Sequence, residues 1–240
     1  MKKLFLFSVL VISCIGVNAQ YITIDKDGYT NIRKYPNAKS EIVGTVVQYE
    51  QFFAASYICD SDYQDTLTNW LLITKDIQNP IGYVYKKNLF QIENLPFIEG
   101  IKTEKNQTKI LTCANDSLQV IMTLCPFEMS NHEITNPRRN DDGQIVGFDK
   151  INGGYPFGSD GYIPNYEIQE VKIILNGKTI LLPRNDFNIY FNVNYLTAYF
   201  GIAGELYIQL SGGDGASGYR ISLSVVNGKL LYVRDCDACK

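Results

Sequence analysis

Twice in this chain the pair Asn-Gly stands between two runs rich in β-branched and aliphatic side chains. Val171-Lys172-Ile173-Ile174-Leu175 leads into Asn176-Gly177 and out through Thr179-Ile180-Leu181-Leu182. Ser224-Val225-Val226 leads into Asn227-Gly228 and out through Leu230-Leu231-Tyr232-Val233. A two-residue type I′ turn needs positive φ at both central positions, which Asn and Gly tolerate, and its twist matches that of paired strands. Both segments are therefore predicted antiparallel hairpins. Ile110-Leu111-Thr112 and residues 118–124 flank Asn115-Asp116-Ser117, a third candidate, and residues 205–210 and 219–226 add two strands. Roughly seven or eight strands over residues 100–240 predict an antiparallel, β-sandwich-like domain. A short helix is expected over 192–200. The aromatic content agrees with strands: 17 Tyr and 12 Phe stand against one Trp, and such side chains fit a pleated, half-buried surface.

The first part of the chain reads as shorter strands. Tyr21-Ile22-Thr23-Ile24 alternates, and Asp25-Lys26-Asp27-Gly28 is a turn cluster. Thr30-Asn31-Ile32-Arg33 is extended until Tyr35-Pro36-Asn37-Ala38 breaks it. Residues 41–47, 52–58, 69–73 and 81–85 are further strands, and the acidic stretch 60–65 is expected at a hairpin tip. Five or six short strands in about 75 residues predict a small barrel.

The same residues carry a family resemblance. Gly28-Tyr29-Thr30-Asn31-Ile32-Arg33-Lys34-Tyr35-Pro36-Asn37, followed by Ser40-Glu41-Ile42-Val43-Gly44-Thr45-Val46, resembles the opening of a bacterial SH3 domain. In that family an LNVR-x-x-P strand and turn precede a strand with a Gly-hydrophobic step. Trp70-Leu71-Leu72-Ile73 resembles the family's W-x-x-V strand, and Ile81-Gly82-Tyr83-Val84-Tyr85 with Leu89 resembles its closing G-x-V-x-x-x-x-L strand and turn. The resemblance spans residues 21–95. One departure is the long segment 57–68 before Trp70, an insertion able to alter the usual groove.

Lys2 and Lys3 precede an apolar run over 4–16, and Val17-Asn18-Ala19 places small or apolar residues just before Gln20. This pattern predicts a secretory signal peptide over 1–19, cleaved after Ala19, and hence a periplasmic or secreted protein. The run is too short to span a bilayer of ~30 Å, and no later stretch is long enough, so a soluble chain without a transmembrane segment is expected. Val11-Ile12-Ser13-Cys14 also resembles a lipobox, which would make Cys14 a lipid anchor. The cleaner exit at Asn18-Ala19-Gln20 favours free export. Losing Lys2 and Lys3 moves the formal charge from −3 to about −5.

Of six cysteines, Cys14 lies in this leader, leaving Cys59, Cys113, Cys125, Cys236 and Cys239. Export permits disulfides, but an odd count leaves at least one thiol free or paired between chains. Cys236-Asp237-Ala238-Cys239 is a CxxC pair followed only by Lys240. A redox CxxC opens a helix in a βαβ setting, and a zinc site needs a second ligand pair. Neither context is present, so a structural disulfide, plain thiols or an exposed tail is expected.

Net charge −3 and a pI near 5.3 argue against a large nucleic-acid face. The single histidine, His132, excludes a His-rich metal site and any two-histidine mechanism. It lies in 129–164, a stretch holding Pro137, Gly143, Gly153, Gly154, Gly158, Gly161 and Pro164 with little periodicity, which reads as a long loop. A nucleophilic pair would join His132 to Cys113, Cys125 or a serine. Bacterial SH3-like domains often accompany cell-wall peptidases, but no nucleophile motif surrounds these cysteines, and a surface loop histidine is expected. Gly213-Asp214-Gly215-Ala216-Ser217-Gly218 matches GxGxxG, yet Tyr219-Arg220-Ile221-Ser222-Leu223 reads as a strand where a dinucleotide site needs a helix. Asp25, Asp27, Asp141, Asp142, Asp160 and Asp214 neighbour glycines without completing a calcium loop. Paired carboxylates of a glycosidase stay open, since their spacing is spatial.

The sequence thus predicts an exported, all-β, non-enzymatic protein: a leader over 1–19, an SH3-like barrel over 20–95, a linker over 93–100 and a β-sandwich-like domain over 100–240. The resemblance implies that the barrel binds cell-wall peptide or glycan, or a protein partner. The expected face includes Asn31, Arg33, Tyr35, Trp70 and Tyr83, with Arg33 placed to pair with a carboxylate. Asn31 and Arg33 equally suit barrel stabilisation, and Trp70 suits core or ligand face. No catalytic residue, metal or cofactor is expected, and no nucleic acid. The alternatives are a cell-wall hydrolase using His132 in the C-terminal module, and a purely structural interaction protein. A helical second half, or a tight cluster of titratable side chains around His132, would overturn the leading expectation.

Overall fold

The computed structural model describes residues 20–55, 69–75, 80–213 and 218–235. The expected leader with Cys14, the insertion at 57–68 with Cys59, the centre of the GxGxxG stretch and the Cys236–Cys239 pair lie outside the described residues. The chain is all-β, built from antiparallel pairs.

Seven strands form the first sheet: β1 (Gln20–Thr23), β2 (Tyr29–Arg33), β3 (Ile42–Val47), β4 (Gln51–Ala54), β5 (Trp70–Thr74), β6 (Pro80–Tyr85) and β7 (Leu89–Gln91). Their spatial order is β3-β2-β6-β5-β4-β1-β7. Ile32, Val46, Phe52, Ala54, Leu71, Ile73 and Val84, drawn from β2 through β6, share one core. Side chains from strands several places apart meet only because the sheet curls on itself. Gly82 permits the tightest part of that curl. It has φ +140°, and a Cβ there would stand 2.7 Å from both the Arg33 carbonyl oxygen and Ile32 Cγ2, so β6 crosses β2 at a distance only glycine allows.

The remaining strands are β8 (Phe97–Glu99), β9 (Ile101–Lys105), β10 (Thr108–Ala114), β11 (Leu118–Pro126), β12 (Ile134–Arg139), β13 (Ile145–Ile151), β14 (Tyr166–Leu175), β15 (Lys178–Leu182), β16 (Val193–Phe200), β17 (Leu206–Gly212), β18 (Tyr219–Val226) and β19 (Lys229–Asp235). They make two five-stranded sheets, β15-β14-β11-β10-β9 and β19-β18-β17-β16-β8, and the separate hairpin β12-β13. In β11, Leu118, Val120, Met122 and Leu124 alternate inward, as a strand's period of two requires. They share a core with Val171 and Ile173 of β14 and with Ile208, Leu210, Ile221 and Leu223 of the opposite sheet. Both Asn-Gly turns form: φ is 49° and 76° at Asn176 and Gly177, and 50° and 73° at Asn227 and Gly228.

Three expectations are corrected. Residues 193–200 of the expected helix are strand β16, because β17 and β8 pair with it on either side and tertiary pairing overrides weak local preference. The expected linker contains β8, which joins the second sandwich sheet through Ala198↔Ile98. Segment 129–164 is not one long loop: it carries the β12-β13 hairpin, whose strands are mostly solvated. That exposure removes the alternation a sequence reader relies on, and Pro137 within β12 hides the strand further.

Strands β17 and β18 are buried on both faces. One face supplies the sandwich core. The other turns Tyr207, Gln209, Ser222 and Ser224 towards the first sheet. Tyr207 packs with Ile22, Ile92 and Leu95. Gln209 Nε2 donates to Gln20 Oε1 at 2.6 Å, and Gln51 Nε2 donates to Ser224 Oγ at 2.6 Å. Among the described residues no helix is long and apolar enough to cross a membrane.

Candidate functional site

Along β2, Thr30 and Ile32 are buried while Asn31 and Arg33 stay half-buried on the other side. The turn after β2 folds back beside them. Tyr35 N–H donates to Ser40 Oγ at 2.9 Å, Lys39 N–H to Asn37 Oδ1 at 3.0 Å, and Lys34 N–H to the Glu41 carbonyl at 3.0 Å. These bonds give the turn a fixed shape, as Asn and Ser side chains do when they replace backbone partners. On the far side, the β5–β6 register sets Trp70 opposite Tyr85. Their rings meet edge to face, with centroids 5.3 Å apart and planes at 61°, the geometry the aromatic quadrupole favours.

Between the turn and the aromatic pair lies an open groove of about 580 Å³, bounded by Asn31, Arg33, Pro36, Asn37, Trp70 and Tyr85 together with Thr30 and Ala38. Arg33 Nη1 donates to the Ser40 carbonyl at 2.7 Å. That bond pins one corner of the guanidinium, and among the described residues Arg33 has no carboxylate within ion-pair distance. A planar cation with further N–H donors therefore stands beside a flat aromatic wall. Such a groove can hold a carboxylate or carbonyl at Arg33 and an apolar face or sugar ring against Trp70 and Tyr85.

Asn31, Arg33 and Trp70, expected from the sequence, line this groove. Tyr83 pairs in register with Arg33 and Leu72, is half-buried, and does not line it. Tyr35 is 59% exposed on the turn outside it. Pro36, Asn37 and Ala38 are groove residues missed by sequence, and Tyr85, an aromatic of the small barrel, lay outside the expected face. The turn was visible as a strand breaker, but the Trp70–Tyr85 register depends on how β5 and β6 pair.

A second cluster surrounds the single histidine. The imidazole is not on the surface: the His132 side chain is only 4% exposed and that of Glu167 5%. Phe127 stacks on the imidazole at 4.9 Å, and Phe191 meets it edge-on. Asn152 decides the tautomer. Its Oδ1 accepts from Glu133 N–H at 3.2 Å, so its Nδ2 is the donor, reaching His132 Nδ1 at 3.0 Å and the Asn188 carbonyl at 2.8 Å. Nδ1 is therefore the acceptor, and Nε2 carries the proton it gives to Glu167 Oε2 at 2.5 Å. The other carboxylate oxygen accepts from Arg184 Nη2 at 2.9 Å and from the Cys125 thiol at 3.7 Å.

A tight titratable cluster thus surrounds the imidazole, the arrangement set above to overturn the non-enzymatic expectation. Both imidazole nitrogens are occupied. Cys125 donates to the same carboxylate as His132 rather than to the imidazole. Burial, and then the Glu167 charge, push the Cys125 thiol up, the reverse of what an attacking thiolate needs. The arrangement satisfies a buried carboxylate and ties segment 129–152 to β14.

Burial raises the Cys113 thiol to about 11, and Cys113 and Cys125 are both free thiols. The described end of the GxGxxG stretch, Gly218, leads into strand β18, not a helix. Among the described residues no group of three His, Cys, Asp or Glu side chains is set to hold a metal ion. Comparison with protein-family models, with curated proteins and with solved structures finds no match.

Proposed function

We propose that this chain is an exported, non-enzymatic binding protein. Its curled N-terminal sheet acts as an SH3-like module that holds cell-wall peptide or glycan, or a protein partner, in the groove beside Arg33. One observation carries this reading: a pinned guanidinium, an edge-to-face Trp70–Tyr85 pair and a hydrogen-bonded turn converge on one open groove. Wall stem peptides bring carboxylates and backbone carbonyls to such a site, and glycans bring rings that stack on aromatic faces. Co-sedimentation with purified sacculi tests it. The protein pellets with sacculi above a control protein, and Arg33→Ala weakens retention about tenfold or more, as loss of a charge-assisted hydrogen bond worth about 1.5–3 kcal/mol implies. No pelleting above the control counts against wall binding and leaves the protein partner.

The convergence of Cys125, Glu167 and His132 is the observation that favours the second reading, a cell-wall hydrolase. A His132→Ala variant separates the two. Turnover of peptidoglycan fragments that depends on His132 supports the hydrolase; turnover indistinguishable between wild type and variant ends it.

A further inference from the structure

Strand β1 begins at Gln20, which is 1% exposed between β4 and β7. Its side chain is held on both sides: Nε2 donates to Gln51 Oε1 at 3.3 Å, and Oε1 accepts from Gln209. Its backbone nitrogen lies 3.4 Å from Glu93 Oε1, a long and weak contact for a single N–H. The second Glu93 oxygen, Oε2, is buried and has no hydrogen-bond partner among the described residues. Native structures rarely leave a buried carboxylate oxygen unpaired, because the desolvation cost is not recovered. Arg220 acts on Glu93 through space but does not hydrogen-bond to it, and burial, then the Glu93 charge, raise the Tyr199 hydroxyl. Oε2 lacks a donor among the described residues, and the backbone nitrogen already beside this carboxylate belongs to the residue expected to follow the leader.

We propose that hydrolysis of the Ala19–Gln20 bond creates the missing partner: an α-ammonium on Gln20 that pairs with the Glu93 carboxylate and locks β1 into the fold. This rests on the export reading above. The step consumes one water. The amide C–N bond breaks, hydroxyl goes to the Ala19 carbonyl carbon, and a proton goes to the Gln20 nitrogen. A further proton from solvent makes that nitrogen an ammonium at neutral pH. Three N–H donors then replace one, enough for both Glu93 oxygens. The same geometry guards the new terminus. Cyclisation to pyroglutamate needs the Gln20 nitrogen to attack its own side-chain amide carbon and expel ammonia, and that amide is tied to Gln51 and Gln209.

The test begins with the intact mass and N-terminal sequence of the protein recovered after export. Gln20 is expected first, with no loss of ammonia. Glu93→Gln is then compared in two backgrounds, the chain beginning at Gln20 and the same chain with one extra residue before it. The urea midpoint is expected to fall in the first background at least twice as far as in the second. Reductive methylation of the wild type supplies a readout that needs no variant to fold: the Gln20 amine reacts several-fold more slowly than surface lysines. A chain that starts elsewhere, lipidated Cys14 included, overturns the cleavage and the export reading with it. A chain that starts at Gln20 but shows equal midpoint shifts, rapid methylation or pyroglutamate overturns the pairing and leaves export standing.

Discussion

At the scale of single residues, Glu167 shows how burial and chemistry constrain each other. It is 4% exposed and accepts from His132, Arg184 and Cys125. Replacing it by Ala orphans the buried His132 donor and the half-buried Cys125 thiol and leaves Arg184 without its partner, at a cost of about 3–5 kcal/mol, the range for breaking one side of a buried pair. Urea unfolding of Glu167→Ala measures this. Glu93 gives the pH dependence. Burial raises its carboxyl above the ordinary range in a chain that continues before Gln20. The folded state then holds the proton more tightly than the unfolded one. This contribution is therefore fully present below the ordinary carboxylate range and is lost as pH rises through and above it. Unfolding midpoints of the extended chain are expected to fall over that interval, and Glu93→Gln to flatten the fall. These interactions were not legible in the sequence. His132, Asn152 and Glu167 are 15 to 35 positions apart, and a histidine in a glycine-rich stretch resembles a solvated one until Phe127 and Phe191 are seen around it.

At the scale of elements, turn chemistry was the most legible signal. Asn176-Gly177 and Asn227-Gly228 encode positive φ directly, and the hairpins follow. The β12-β13 hairpin and β8 were illegible for the converse reason: their exposed residues carry no alternation, and only pairing partners reveal them. Gly82 was visible as part of a strand motif, but its need to be glycine appears only in the crossing of β6 over β2. Gly82→Ala must push the Arg33 carbonyl or Ile32 aside while holding φ near +140°. A loss of about 2 kcal/mol or more is expected from this strain and local repacking. Thermal melts followed by Trp70 fluorescence test it, and a melt equal to wild type would show that β6 has room to move.

At the scale of the molecule, β17 and β18 serve two masters: Ile208, Leu210, Ile221 and Leu223 fill the sandwich core, while Tyr207, Gln209 and Ser224 meet the first sheet. Residues 205–210 read in sequence as a strand, yet neither the burial of β17 on both faces nor its second partner is legible there. Gln209→Leu removes the donor to the Gln20 side-chain Oε1, at a cost of about 1–3 kcal/mol. Calorimetry is expected to show one cooperative transition in the wild type at a temperature lowered by this variant; an unchanged melting temperature would mean that the buried amides contribute nothing. The same architecture makes the groove observable. Trp70 is the only tryptophan in the chain and forms its wall, so intrinsic emission reports occupancy without a label. Titration with soluble peptidoglycan fragments is expected to give a saturable change in Trp70 emission that Arg33→Ala shifts about tenfold or more to higher concentration. Emission that stays flat with stem peptides and glycan fragments alike would contradict the proposal that this groove reads the cell wall.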